Sequence, residues 1–270
     1  MQLTIEHTTT YRYDGPVTRG LQQLRLTPMS SEHQRVTEWE TTIEGGTKQV
    51  AFTDQHGNHT ELVSFDPGVR VLEVTSAGQV ETSDSNGVLG YASGFAPLWL
   101  FHRQTSLTAP GPRVAELAAE IDPDEVGPDG QSIEVVHRLV NAIAEKVVYT
   151  TGSSVVSDSA ETVLSSGRGV CQDHAHVLIS VARHLGCAAR YVSGYLHMAS
   201  SDAQDATHAW AEVWIPSLGW VGFDPSNAIS PDERYVRMAS GLDYTEAAPI
   251  SGMRYGDGDE ALDVSVSVQQ

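Results

Sequence analysis

Hydrophobic and polar positions change their spacing part-way along the chain. LTIEHTTTYRY at 3–13 alternates at period two, LQQLRL at 21–26 does so again after the turn signal Asp14-Gly15-Pro16, and VRVLEVTSAGQVET at 69–82 closes the region. Glu44-Gly45-Gly46 and His56-Gly57-Asn58 punctuate the interval between them. Short alternating strands separated by turn residues predict an antiparallel β-sandwich-like domain. The polar, glycine-bearing stretch TSDSNGVLG at 82–90 is the expected boundary, giving a first domain over 1–88.

Beyond Pro110 the apolar residues recur at three and four. RVAELAAEI follows Pro112, a residue suited to a first helical turn. Val135, Val136, Leu139, Val140, Ile143 and Val147 form one stripe of a helix expected from about 132 to 147, and that stripe reads as packing. A further helix is expected from Cys171 to about Leu185, with Ala175, Leu178, Ile179, Ala182 and Leu185 inward and Gly186 as its stop. Strands return at 189–196, 207–215 and 219–224. The fold class is therefore α+β: an all-β domain, then a core over 89–270 that keeps the C-terminal strand.

Three polar residues stand out against this pattern. Cys171 falls in a first helical turn, where unpaired N–H groups and the positive end of the helix dipole favour an anion and can help hold an oxyanion. Its own backbone N–H is one such donor by helix position. His208 opens a strand in which His208, Trp210, Glu212 and Trp214 share one face, while Ala209, Ala211, Val213 and Ile215 share the other. The turn Pro216-Ser217-Leu218-Gly219 makes a hairpin with the next strand, so Asp224 is expected beside His208 at the open end. Taken singly, each has a plainer reading: a buried cysteine, a hydrogen-bonded core histidine, a turn-forming aspartate before Pro225. Together they are a nucleophile, a base and a group that orients the base.

The words around these residues carry a resemblance. GVCQDHAH at 169–176, HAWAEVW at 208–214 and WVGFDPSN at 220–227 stand in the order found in the transglutaminase-like superfamily. HTTTYRYDGPV, QQLRLTP and FTDQHGNH resemble the β domain that precedes this core in a bacterial subgroup. The resemblance implies a papain/transglutaminase-like core with its nucleophile at a helix N-terminus packed on an antiparallel sheet. It also implies thiol-dependent acyl transfer or hydrolysis at amide or isopeptide bonds through Cys171, His208 and Asp224, on a peptide or protein substrate that can include glutamine or glutamyl side chains. Crosslinking members use a tryptophan upstream of the nucleophile; none stands between Trp99 and Cys171, which favours hydrolysis, by a peptidase or amidase. His174 occupies a position where the family commonly has an aromatic residue. The alternative is a catalytically silent peptide- or protein-binding module on the same fold.

Charge narrows the partners. A formal net charge of −19, from 35 acidic and 16 basic residues, argues against nucleic acid or an anionic membrane surface. No apolar run approaches a membrane span, and MQLTIEHTTTYRYD lacks the features of a signal peptide, so a cytoplasmic protein is expected. Cys187 reads as a small buried residue. Cys171, His174, His176 and His208 are all zinc-ligand types, but on a helix His174 and His176 point apart, so no metal and no cofactor is expected.

Overall fold

The computed structural model describes residues 1–91, 95–121, 132–198, 203–204 and 206–270. Strands β1 (Gln2–Tyr13), β2 (Arg19–Leu24), β3 (Gln34–Glu44), β4 (Gly46–Thr53), β5 (His59–Phe65) and β6 (Val71–Thr82) open the chain. After β7 (Val88–Gly90) and a 3₁₀ turn at Leu98–His102 come α1 (Pro112–Ala119), α2 (Ile133–Lys146), β8 (Val148–Tyr149), α3 (Ala160–Ser166), β9 (Arg168–Gly169) and α4 (Cys171–His184). The remainder is β10 (Ala189–Leu196), β11 (Ala203–Gln204), β12 (His208–Ile215), β13 (Gly219–Phe223), β14 (Tyr235–Gly241), α5 (Tyr244–Ala247), β15 (Ile250–Tyr255) and β16 (Glu260–Gln269). The fold is α+β, as expected, with antiparallel pairing throughout its three main sheets.

The helices form where pattern and capping agree. In α2 the stripe Val135, Val136, Leu139, Val140 and Ile143 is buried, and the Ser132 side chain accepts from Val135 N at the helix start. Helix α4 stops at Gly186, whose φ of +84° suits a residue without a side chain. It lies across the sheet ordered β14-β10-β12-β13-β7. Ala209, Ala211, Val213 and Ile215 of β12 share a core there with Ala175, Leu178, Ile179 and Ala182. Small residues on the strand let the helix approach, and a continuous apolar layer drives the docking.

The first strands build two sheets, ordered β11-β16-β1-β6-β3 and β15-β2-β5-β4. The last two strands return to the β region: β16 pairs with β1 from Thr4↔Gln269 to Tyr13↔Glu260, and β15 pairs with β2. Strand β1 has a side free beyond β6, and an unpaired edge there would leave its backbone groups open; the C-terminal segment supplies that partner. The regions also share a core, since Tyr195, Val236 and Met238 pack with Leu3, Ile5 and Val266. Among the described residues, no helix is long and apolar enough to cross a membrane.

Candidate active site

The approach to the nucleophile is built by backbone. Strand β8 pairs in parallel with β9, setting Tyr149 opposite Gly169 two residues before Cys171. A side chain at Gly169 would meet Asp173 Cβ at 2.7 Å, so glycine there allows Asp173 to fold back. The Asp173 carboxylate accepts from Val170 N at 2.7 Å and Ser154 Oγ at 2.6 Å, capping a helix whose preceding residue, a valine, has no side-chain acceptor to offer. Asp173 N and His174 N both reach Val170 O. The N–H of Cys171 precedes that ladder and belongs to the unpaired first turn. Cys171 itself is 6% exposed and not in a disulfide; Cys187 is likewise buried and not in a disulfide.

His208 sits at the first position of β12, and its Nε2 lies 2.6 Å from Asp224 Oδ2. That contact leaves Nδ1 for another partner, and Cys171 lies near enough to interact with the ring. Burial pulls the imidazole toward its neutral form, but the Asp224 carboxylate and the Cys171 sulfur more than offset it and hold its pKa up to about 10. The ring is stacked on Trp210 at 6.3 Å between centroids and tilted against Tyr235 at 5.8 Å.

Asp224 directly follows β13 and is fully buried. Its Oδ1 accepts from Ser226 Oγ at 2.6 Å, Ser226 N at 2.9 Å and Asn227 N at 3.2 Å. Oδ2 accepts from Asn227 Nδ2 at 2.7 Å and Tyr235 OH at 2.8 Å, in addition to the histidine. Burial alone would raise this carboxyl; the bonds from His208, Ser226 and Asn227 hold it well below the usual carboxylate range. His208 and Asp224 thus meet at hydrogen-bond distance with Cys171 nearby, and the Asp224 carboxylate is fixed by five further hydrogen bonds.

Several neighbours were not singled out by sequence reasoning. Ser226 and Asn227 lie in the same short box as Asp224, so proximity was the available signal. Tyr235 comes from a different strand, β14, and nothing local marks it. Tyr149 is half-buried and its ring stacks on His174 at 6.1 Å. Burial and the charges of Cys171, Asp224 and Asp173 keep its hydroxyl protonated above the ordinary tyrosine range. Trp210 is 2% exposed, both a core residue and a wall behind the imidazole. His174, 1% exposed, places its ring nitrogens 2.8 Å from Val170 O and 2.9 Å from Val147 O, which ties the start of α4 to the end of α2. His176 points elsewhere and accepts from Tyr244 N at 3.1 Å. Among the described residues, no group of three or more His, Cys, Asp or Glu side chains is arranged to hold a metal ion.

A cavity of about 160 Å³ flanks the site. Gln172 and Thr207, the neighbours of Cys171 and His208, line it with Tyr244, while Thr9, Tyr11 and Leu262 come from β1 and β16. Its described lining carries no Asp, Glu, Lys or Arg. His7, also in the lining, is pushed down to about 4 by burial and is neutral near pH 7.

Family models match both halves of the chain: the transglutaminase-like superfamily over residues 116–225 and the bacterial transglutaminase-like N-terminal region over residues 3–81. The chain belongs to the transglutaminase-like superfamily. An uncharacterised protein of Mycobacterium tuberculosis H37Rv is 32% identical across 98% of this chain and 91% of its own length, and one from Mycobacterium leprae is 31% identical across 99% and 98%. A protein-glutamine gamma-glutamyltransferase of Pseudomonas aeruginosa is 29% identical over 53% of this chain and 23% of its own length. A solved structure from Cytophaga hutchinsonii, a proposed cysteine protease, matches the fold with a TM-score of 0.76, covering 100% of this chain and 90% of that one at 20% identity.

Proposed function

We propose that this protein catalyses thiol-dependent acyl transfer or hydrolysis at amide or isopeptide bonds, with Cys171 as nucleophile, His208 as proton carrier and Asp224 as the group that orients it. The observation that supports the reading is the His208 ring held on the Asp224 carboxylate with Cys171 interacting with the same ring. Thiolate attack on the carbonyl gives a tetrahedral oxyanion, which the Cys171 N–H is placed to receive. Nδ1–H of the imidazolium passes its proton to the leaving nitrogen, the C–N bond breaks, and an acyl thioester and a free amine or ammonia result. Water or a second amine then gives a proton to Nδ1 and attacks the thioester, releasing the thiolate. Asp224 holds the tautomer throughout and stabilises the charged ring.

The cavity beside the site supports an uncharged acyl group, such as a glutaminyl carboxamide, because its lining offers hydroxyl and amide groups and no full charge. Hydrolysis is favoured over crosslinking, since no tryptophan stands between Trp99 and Cys171. The test is release of ammonia or amine from peptide, glutaminyl and γ-glutamyl amides, with hydroxylamine added as a competing acceptor. Cys171→Ala is expected to lower kcat/KM by about 10³-fold or more with an unchanged melting temperature. Undiminished turnover in that variant removes the mechanism. Absence of both turnover and a trapped acyl-enzyme across the panel leaves a binding module.

A further inference from the structure

On the sheet face that carries His208, four residues farther along β12 and so about 13 Å away at 3.3 Å per residue, Glu212 is fully buried and shared by two arginines. Its carboxylate accepts Nε–H from Arg190, on β10, and from Arg237, on β14, the latter at 2.8 Å. One carboxylate facing two guanidinium groups leaves a positive charge uncompensated. Both arginines engage Glu212 through Nε, which leaves the paired terminal nitrogens of each fork for another partner. Arg190 is 6% exposed, with its guanidinium 4.1 Å above the Trp220 ring, so its position is fixed by packing.

These arginines border a cleft of about 710 Å³, a size that holds small organic ligands. His56 and Gly57 stand behind another part of its wall. His56, with a side chain 1% exposed, binds Glu246 Oε2 through Nε2 at 2.7 Å, and its Nδ1 is buried with no hydrogen-bond partner. Phe101 links the two features, touching the His56 ring at 5.8 Å and the Arg190 guanidinium at 6.0 Å. The turn bearing His56 is rigid: Asn58 Nδ2 donates to Ser240 O at 2.7 Å and Ser240 N to Asn58 Oδ1 at 2.8 Å. Gln34 fixes the opposite wall through both Arg237 N and Arg237 O. Leu89 and the exposed Tyr91 add apolar surface, and the carboxylate in the lining, Glu32, is exposed.

We infer that this cleft is a second binding site, for a small organic carboxylate whose acid group bridges the Arg190 and Arg237 forks and whose apolar body rests on Leu89 and Tyr91. An uncompensated positive charge on a cleft wall is costly in an empty site and is satisfied by such a ligand. The inference is independent of the proposed chemistry at Cys171.

The probe is N-acetyl-L-phenylalanine, titrated calorimetrically into the full chain, with its carboxamide and inorganic phosphate as controls. Saturable binding of the carboxylate is expected, with affinity at least about tenfold weaker for the carboxamide and for Arg237→Gln, since each removes a charge-assisted pair. Tyr91→Ala, at an exposed position, is expected to weaken binding severalfold with the melting temperature unchanged, and Cys171→Ala to leave affinity unchanged. Four results overturn the inference: no saturable binding, equal affinity in a folded Arg237→Gln, phosphate binding as tightly as the carboxylate, or loss of binding in Cys171→Ala.

Discussion

The two faces of β12 are made by alternate residues of one strand, yet they obey different rules. Ala209, Ala211, Val213 and Ile215 lie under α4 and do nothing but fit; every atom there is apolar and the constraint is volume. His208, Trp210 and Glu212, pointing the other way, are almost as buried, but the polar groups of His208 and Glu212 are held by specific partners from other strands or loops. Burial therefore does not distinguish structure from chemistry in this protein. What distinguishes them is whether the buried atoms are interchangeable with others of the same size.

That contrast can be broken from either side. The largest effect is expected on the polar face from Asp224→Asn, nearly isosteric, which removes the charge that fixes the histidine: kcat/KM should fall by about 10³-fold while the fold persists. Less than a tenfold loss, measured on the amide substrate found in the screen, would mean that Asp224 is a turn-former and no more. On the apolar face, Ala211→Leu is expected to cost about 1–3 kcal/mol by overpacking against α4. Denaturant unfolding reads this, and an unchanged midpoint would show slack in that layer.

The pH dependence sharpens the comparison further. His208 has a folded pKa raised from 6.5 to about 10, so its bound proton stabilises the fold fully below pH 6.5, and that contribution is lost as pH rises through 10. The stability difference between the wild type and His208→Gln should therefore shrink from pH 6 to pH 10, whereas the cost of Ala211→Leu should not vary. A His208→Gln difference that stays constant argues against a charged ring. The smallest effect is expected from Tyr235→Phe, which deletes one of the hydrogen bonds to Asp224, worth about 0.5–1.5 kcal/mol, and should lower kcat/KM only severalfold.

Much of this was legible along the chain. The helix beginning at Cys171 and the strand at 189–196 stand where periodicity places them, because the stretches that form them have strong, uninterrupted patterns. The His208–Asp224 pair follows from a hairpin with a recognisable turn. The destination of the C-terminal strands was not legible: alternation identifies a strand but says nothing about which sheet edge it joins, and β16, from the far end of the sequence, pairs with β1. Tyr235 was equally silent, since a tyrosine on a strand carries no sign of the carboxylate it will meet.

By itself the amino-acid order determined which segments are helix or strand, which faces are apolar, and that a thiol, an imidazole and a carboxylate are set at element ends, because those properties arise from neighbours within a few residues. Only the tertiary structure decided the Tyr235 bond to Asp224, the shared Glu212 beneath two arginines, and the seam where β16 joins the first sheet. Each depends on contacts between residues distant in sequence, and their free energies are settled by packing and desolvation that no local pattern records.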